Sequence, residues 1–141
     1  MIYPILAHLR RIGWLLMLAV ASPAMAGVVV IAHPTVHKLD LPTVQRIYAG
    51  KVIEVGGVAV NPVNLKSGQP VRLKFLNDYL QQTEDNYLAY WTVRRYVGKG
   101  VPPREFATPA EVIAYVLATP GAVAYLDETD VPPSLNIVLR R

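Results

Sequence analysis

The chain has 141 residues, of which 52% are hydrophobic and 17% charged, with no cysteine and a formal net charge of +4. The lack of cysteine excludes disulfides, thiolate catalysis and cysteine-ligated zinc. Arg10 and Arg11 supply two of the positive charges, and the rest of the chain has twelve Lys and Arg against ten Asp and Glu. This small excess is not the basic face of a nucleic-acid-binding protein.

Residues 1–26 are predicted to be a cleaved signal peptide. Arg10 and Arg11 precede an uncharged run over 12–21, and Ala24-Met25-Ala26 is an A-x-A cleavage sequence. The run is shorter than the roughly 20 apolar residues that span a bilayer, so an uncleaved anchor is the weaker alternative. We expect cleavage before Gly27 and a periplasmic or secreted product.

The remaining 27–141 is the size of one domain. Residues 28–32 form an unbroken β-branched apolar run, which predicts a strand buried on both faces. A helix is predicted over 41–49, with Asp40 as its cap and Gly50 at its end.

Predicted helices and strands also alternate along the rest of the chain. Leu73 and Leu88 are among the side chains assigned to buried helix faces. The remaining predicted elements are an extended piece at 51–55, a strand at 58–63, helices at 70–81 and 84–97, a helix from 109, and strands at 122–126 and 135–139. This order predicts a single α/β domain with a largely parallel sheet.

The stretch from Ser67 to Arg72 predicts either an oxyanion seat or an ordinary turn. Ser67-Gly68-Gln69 precedes a helix that begins with Pro70, and Arg72 lies in its first turn. Free backbone N–H groups, a hydroxyl and a guanidinium suit a tetrahedral oxyanion. The simpler interpretation is that Ser67 or Gln69 caps the helix.

Other motifs give little support for catalysis or metal binding. His33 and His37 have H-x-x-x-H spacing, but Pro34 places them in a loop without an obvious third ligand. No nucleophile-elbow sequence surrounds Ser67 or Ser134. We therefore expect neither an enzyme nor a bound metal or cofactor.

Aromatic residues and arginines crowd the helix predicted at 84–97. Tyr87, Tyr90 and Trp91 would be core and rim residues, or part of a protein-binding surface, because Tyr, Trp and Arg are common at interface hot spots.

Five segments in order resemble one family. They are TVQRIYAGKV at 43–52, VNPVN at 60–64, FLNDYL at 75–80, GKG at 98–100 and PGAVAY at 120–125. Together they resemble the second lobe of the periplasmic substrate-binding protein of phosphate ABC transporters, and most of all its small single-lobe PBP-like relatives. The resemblance implies one lobe of a type II periplasmic-binding-protein fold, with a mostly parallel sheet flanked by helices.

The phosphate-binding pattern of that family is incomplete in this chain. The family has an arginine followed by a G-S-G-T turn. Anchoring on Ser67-Gly68 puts Val63 in the arginine's place and Gln69 in the threonine's, whereas anchoring on the downstream helix puts Pro70 in the serine's place. Arg72 would restore a cation from another position. One lobe also leaves a bound ion open to water, which predicts loose binding or completion by a homodimer or another exported protein.

The resemblance implies a substrate-binding-like module for ABC transport or sensing, with a membrane permease or receptor as partner and phosphate or a related oxyanion as ligand. The expected ligand-binding residues are Ser67, Gly68, Gln69 and Arg72, with Lys99 and His33 at the rim. The alternative is a periplasmic protein–protein interaction or sensor-accessory module that has lost small-ligand binding.

Overall fold

A computed structural model describes residues 26–141, so the predicted signal peptide lies outside the described residues except for Ala26. The strands are β1 (Val28–Ala32), β2 (Glu54–Val55), β3 (Val58–Ala59), β4 (Asn61–Leu65), β5 (Arg104–Phe106), β6 (Ala122–Asp127) and β7 (Asn136–Arg140). The α-helices are α1 (Leu41–Tyr48), α2 (Pro70–Phe75), α3 (Glu84–Tyr96) and α4 (Pro109–Ala118).

The main sheet has five strands in the order β5-β4-β6-β1-β7. Strand β4 is parallel to β5 and β6, whereas β1 is antiparallel to both β6 and β7. Four strands therefore run in one direction and β1 runs against them. The α/β fold with a mostly parallel sheet flanked by helices is confirmed, and β2 and β3 form a separate two-stranded hairpin.

The core lies at the centre of this sheet, where every residue of β1 and β6 is buried. The apolar runs at 28–32 and 122–126 predicted these strands correctly. An aromatic cluster packs against them, with Phe75 stacked on Tyr125 at a centroid distance of 3.8 Å and Tyr48 edge-on to Phe75 at 4.8 Å. The hydroxyl of Tyr48 donates to the carbonyl of Val63 at 2.9 Å, so the ring also ties α1 to β4.

The helix predicted over 70–81 is two structures in succession. α2 passes into a π-helical turn at Leu76–Leu80, and Gln81 then adopts a left-handed conformation with φ of 54°. The wider turn changes which side chains face the core: Phe75, Leu76 and Tyr79 are buried, whereas Leu73 is exposed. The burial predicted for Leu73 is wrong because the assumed period of 3.6 residues does not continue through the π turn.

Two further predictions need correction. Leu88 was assigned to the buried face of α3, but it is exposed, and Tyr87 is buried in its place. Strand β5 was not predicted, since Arg104–Phe106 is too short for a clear alternating pattern. The helix starts at Asp40, Thr83 and Thr108 are confirmed, because each side chain accepts a hydrogen bond from a backbone N–H in the first turn.

Across residues 26–141, no helix is long and apolar enough to cross a membrane.

Candidate functional site

The loop at 66–69 connects the carboxyl end of β4 to α2. Its conformation depends on Gly68, whose φ of 82° favours glycine. The side chain of Gln69 donates to the carbonyl of Ala107 at 2.8 Å, which fastens the loop to the segment between β5 and α4. Ser67 lies exposed at the tip. Ser67, Gly68, Gln69 and Arg72 are therefore near one another in the fold, as their sequence spacing requires.

Arg72 is a buried structural cation. Only 1% of it is exposed, and its guanidinium contacts two carboxylates and one carbonyl. Its Nη1 donates to Glu105 at 2.8 Å and to the carbonyl of Leu65 at 3.0 Å, and its Nε lies 3.0 Å from Glu84 Oε1. Burial acts to lower the pKa of Arg72, but Glu105 and Glu84 together raise it above its ordinary value. The guanidinium stays charged and is already neutralised by carboxylates of the chain itself.

Glu84 occupies the position in which an oxyanion was expected. Besides contacting Arg72, its Oε1 accepts a hydrogen bond from the backbone N–H of Gly68 at 3.1 Å. A carboxylate is an oxyanion held by the same donors that would hold phosphate: a loop N–H and an arginine fork. The backbone and cation of the predicted seat are thus both satisfied by Glu84.

A hydrogen-bond network of uncharged buried groups lies beneath this cluster. Asn64 donates to the hydroxyl of Tyr87 at 3.0 Å and accepts from the hydroxyl of Tyr125 at 2.9 Å. The Tyr125 hydroxyl also accepts from the backbone N–H of Leu65 at 3.1 Å. Burial raises the pKa of both tyrosines, so they stay neutral and the network is fixed at ordinary pH.

A cavity of about 180 Å³ adjoins Arg72 and Glu105. Its lining includes Arg95, which is exposed, and Trp91, whose indole Nε1 is buried and has no hydrogen-bond partner within residues 26–141. An indole N–H can only donate. This cavity therefore combines an exposed cation, Arg95, with a buried indole N–H, unlike the loop itself.

The two predicted rim residues lie away from the loop. The backbone N–H of His33 donates to the carbonyl of Ala122, at the amino end of β6, and its Nδ1 contacts Thr35. Because β4 and β6 are parallel, Ser67 lies at the opposite end of the sheet, roughly 16 Å away along a five-residue strand. Lys99 follows the carboxyl end of α3, about 20 Å along a 13-residue helix from Glu84. The fold does not bring His33 or Lys99 to the loop.

The aromatic residues of α3 divide between core and surface. Tyr87 and Trp91 are buried and Tyr90 is half-buried, with its hydroxyl donating to the carbonyl of Ala49 at 2.7 Å. The apolar surface of the helix lies nearer its carboxyl end, at Val93, Tyr96 and Val97, which are 62%, 92% and 55% exposed. The exposed surface expected around Tyr87, Tyr90 and Trp91 is therefore not formed, and the exposed apolar side chains lie on a different side of the helix.

The sequence did not reveal the roles of Glu84 and Glu105. Glu84 is well explained as an acidic residue in the first turn of α3, and that role gives no sign that its carboxylate reaches Arg72. Glu105 lies in the strand that was not predicted. Within residues 26–141, no group of three or more His, Asp or Glu side chains is placed to hold a metal ion.

Comparison with solved structures finds a similar fold in two proteins of phosphate transport. The chain is similar to an ABC-type phosphate transport receptor from Vibrio cholerae, with a TM-score of 0.55 and 14% identity over 79% of this chain and 45% of that one. It is also similar to a putative phosphate ABC transporter substrate-binding protein with bound phosphate from Clostridium perfringens, with a TM-score of 0.55 and 19% identity over 79% of this chain and 44% of that one. No protein-family model matches the sequence, and the search of curated proteins found no match.

These similarities define the class of fold: a periplasmic-binding-protein lobe. The predicted resemblance to phosphate ABC transporter substrate-binding proteins is confirmed at the level of structure. This chain spans less than half the length of either receptor.

Proposed function

We propose that this chain is an exported, non-enzymatic binding module that recognises another protein, its oxyanion seat being filled by its own Glu84. The observation that carries this proposal is the contact of one carboxylate with both Gly68 N–H and Arg72. An incoming phosphate would have to displace Glu84 and then face Glu105, which stays paired with Arg72. Displacing a bound carboxylate offsets most of the free energy that phosphate would gain.

The surface that suits a partner is the exposed apolar face of α3. Tyr96 and Val97 follow Val93 by three and four residues, so the three side chains lie on one side of the helix. Exposed aromatic and apolar side chains grouped in this way are typical of interaction sites. The partner that we propose is a permease or receptor of the membrane, and a second copy of the chain, forming a homodimer, would use the same face.

Anion titration tests the internal occupancy of the seat. We expect calorimetry to detect no binding of phosphate or sulfate to the wild-type protein at about 1 mM. Glu84→Ala frees the Gly68 N–H and one side of Arg72, and should allow phosphate to bind. Asp85→Ala removes the neighbouring exposed carboxylate and should behave like the wild type. Equal phosphate binding by all three proteins would contradict the proposal.

Site-specific photocrosslinking tests the partner surface. A photoreactive residue at Tyr96 should give a discrete crosslinked product in the producing cells. The same residue at Leu117, an apolar position of α4 that is 52% exposed, is the matched control. Identical patterns at the two positions would show that the α3 face has no special role. Gel filtration of Tyr96→Ser separates a homodimer from a different partner.

A second candidate function is weak oxyanion binding in the cavity beside Arg72. The unpartnered Trp91 Nε1 and the adjacent Arg95 favour it, and the Clostridium perfringens structure contains phosphate. Under this proposal the wild type binds phosphate at millimolar concentration, and Arg95→Gln or Trp91→Phe weakens binding while Lys66→Gln does not. Binding that is unaffected by both cavity variants would exclude this location.

A further inference from the structure

A second and larger cavity lies between α1, the π-helical turn and α3. Its volume is about 410 Å³, within the range of roughly 300–1,000 Å³ that small-molecule sites occupy. The loop at Ser67 does not contribute to it. Residues from three separate parts of the chain meet there, so the cavity is produced by the fold and not by one surface loop.

The charge of this cavity is positive. Arg46 and Lys51 line it, and neither forms an ion pair within residues 26–141. No Asp or Glu of the described chain is among the lining residues. This contrasts with Arg72, whose charge is matched by two carboxylates, and it means that an anion entering the larger cavity has no carboxylate of the lining to displace.

The cavity wall also holds an unsatisfied acceptor. The amide Oε1 of Gln82 is buried and has no hydrogen-bond donor within the described residues. Leaving such a group unpaired is unfavourable. The neighbouring Gln81 is a non-glycine residue at φ of 54°, held there at the end of the π turn by its N–H bond to the carbonyl of Leu76. Strained residues and π turns of this kind are frequent at functional sites.

The rest of the wall is held in position by its own contacts. The side chain of Gln45 donates to the carbonyl of Tyr79 at 2.9 Å, and Tyr90 donates to the carbonyl of Ala49. These bonds tie α1 to the π turn and to α3. The cavity is thus formed before any ligand arrives, which lowers the free-energy cost of binding.

We propose that this cavity binds a small organic anion that carries a hydroxyl group, with Arg46 and Lys51 contacting the anionic group and a rotation of the half-buried Gln82 side chain allowing the ligand's hydroxyl to donate to its Oε1. Inorganic phosphate would fill only a small part of 410 Å³. The anionic group is a carboxylate or a phosphate monoester, because both present oxygens to the two cations. This site is independent of the α3 apolar face and of the Glu84 cluster.

Citrate and tricarballylate separate the two contacts, since they carry the same three carboxylates and only citrate has a hydroxyl. Glycerol 3-phosphate represents the phosphate monoesters, and inorganic phosphate and glycerol are the controls. Binding to the full-length protein is followed by calorimetry and by the amide resonances of Gln81 and Gln82. We expect citrate or glycerol 3-phosphate to bind at least tenfold more tightly than inorganic phosphate, and citrate more tightly than tricarballylate.

Three variants locate the site. Arg46→Gln with Lys51→Gln should weaken binding at least tenfold, whereas the matched pair Lys66→Gln with Arg104→Gln, two exposed cations outside both anion-binding cavities, should not change it. Gln82→Leu should retain the fold and lose the preference for citrate over tricarballylate. The proposal is overturned if neither citrate nor glycerol 3-phosphate moves the Gln81 and Gln82 resonances at about 10 mM. It is also overturned if inorganic phosphate binds as tightly as these organic anions, or if the variant with both Arg46→Gln and Lys51→Gln binds them like the wild type. These binding measurements do not depend on the α3 crosslinking experiment, so either proposal can fail while the other stands.

Discussion

Replacing Arg72 by methionine tests whether the buried cation is part of the structure or is held ready for a ligand. Methionine has a similar length and no charge, so the substitution removes the ionic contacts with little loss of volume. The Leu65 carbonyl would lose its donor in a buried setting, which costs about 1–3 kcal/mol. Glu84, with 17% of its side chain exposed, would lose its cation while keeping the Gly68 N–H. Glu105 is 43% exposed, so the loss of its contact with Arg72 should cost little free energy.

These contributions predict a destabilisation of about 3 kcal/mol, at the lower end of the range for removing one partner of a buried ion pair. For a domain of this size the melting temperature should fall by about 12 °C. Urea unfolding followed by circular dichroism gives the free-energy change directly. Lys74→Met is the control, because Lys74 forms an exposed ion pair with Asp78 and its loss should cost less than about 0.5 kcal/mol.

A result below about 1 kcal/mol for Arg72→Met would refute this reasoning. It would mean that the carboxylates around the guanidinium contribute little to folding and that Arg72 is available to an external anion. An increase in wild-type melting temperature on adding phosphate, lost in Arg72→Met, would lead to the same conclusion.

Two further predictions concern burial and backbone geometry. Burial raises the pKa of Tyr48 and Tyr125 above 10.0, so the unfolded chain loses these protons at lower pH than the folded protein does. The free energy of unfolding should therefore be constant up to about pH 10 and then fall. Urea midpoints measured between about pH 8 and pH 11 check this, and a flat profile would contradict it. Gly121 has a φ of +79° and an added Cβ would lie 1.9 Å from the carbonyl oxygen of Ala59, so Gly121→Ala should cost about 3 kcal/mol or more. Gly56→Ala, at φ +57° in open space, should cost only about 1–2 kcal/mol, and equal losses in thermal unfolding would show that the close approach to Ala59 is unimportant.

The sequence predicted elements whose signals are local. The apolar runs of β1 and β6 and the caps at Asp40, Thr83 and Thr108 depend on residues within a few positions of one another. Strand β5 was missed because its three residues become a strand only by pairing with Val63–Leu65, a contact made across about forty positions. Helix periodicity failed at Leu73 for a related reason, since the π turn that follows was not visible in the spacing of apolar residues.

For the site, the sequence located the loop and the cation but not their partners. Ser67-Gly68 and Arg72 could be found from turn chemistry and charge. That Glu84 satisfies both Gly68 and Arg72 depends on how α3 packs against α2, and nothing in the local sequence distinguishes this role from an ordinary acidic residue at a helix start. His33 and Lys99 were predicted at the rim of this site, but the strand directions and the length of α3 place them elsewhere.

The position of β1 has a consequence for how the polypeptide acquires its fold. The first strand within residues 26–141 pairs on one side with β6 and on the other with β7, so Val29 lies opposite Leu126 and Arg140. The middle of the sheet cannot close until β6 and β7 have both been synthesised, and such distant pairings make folding slow. A polypeptide shortened before β7 would leave β1 as an open, wholly apolar edge, and we expect it to aggregate when it fails to fold.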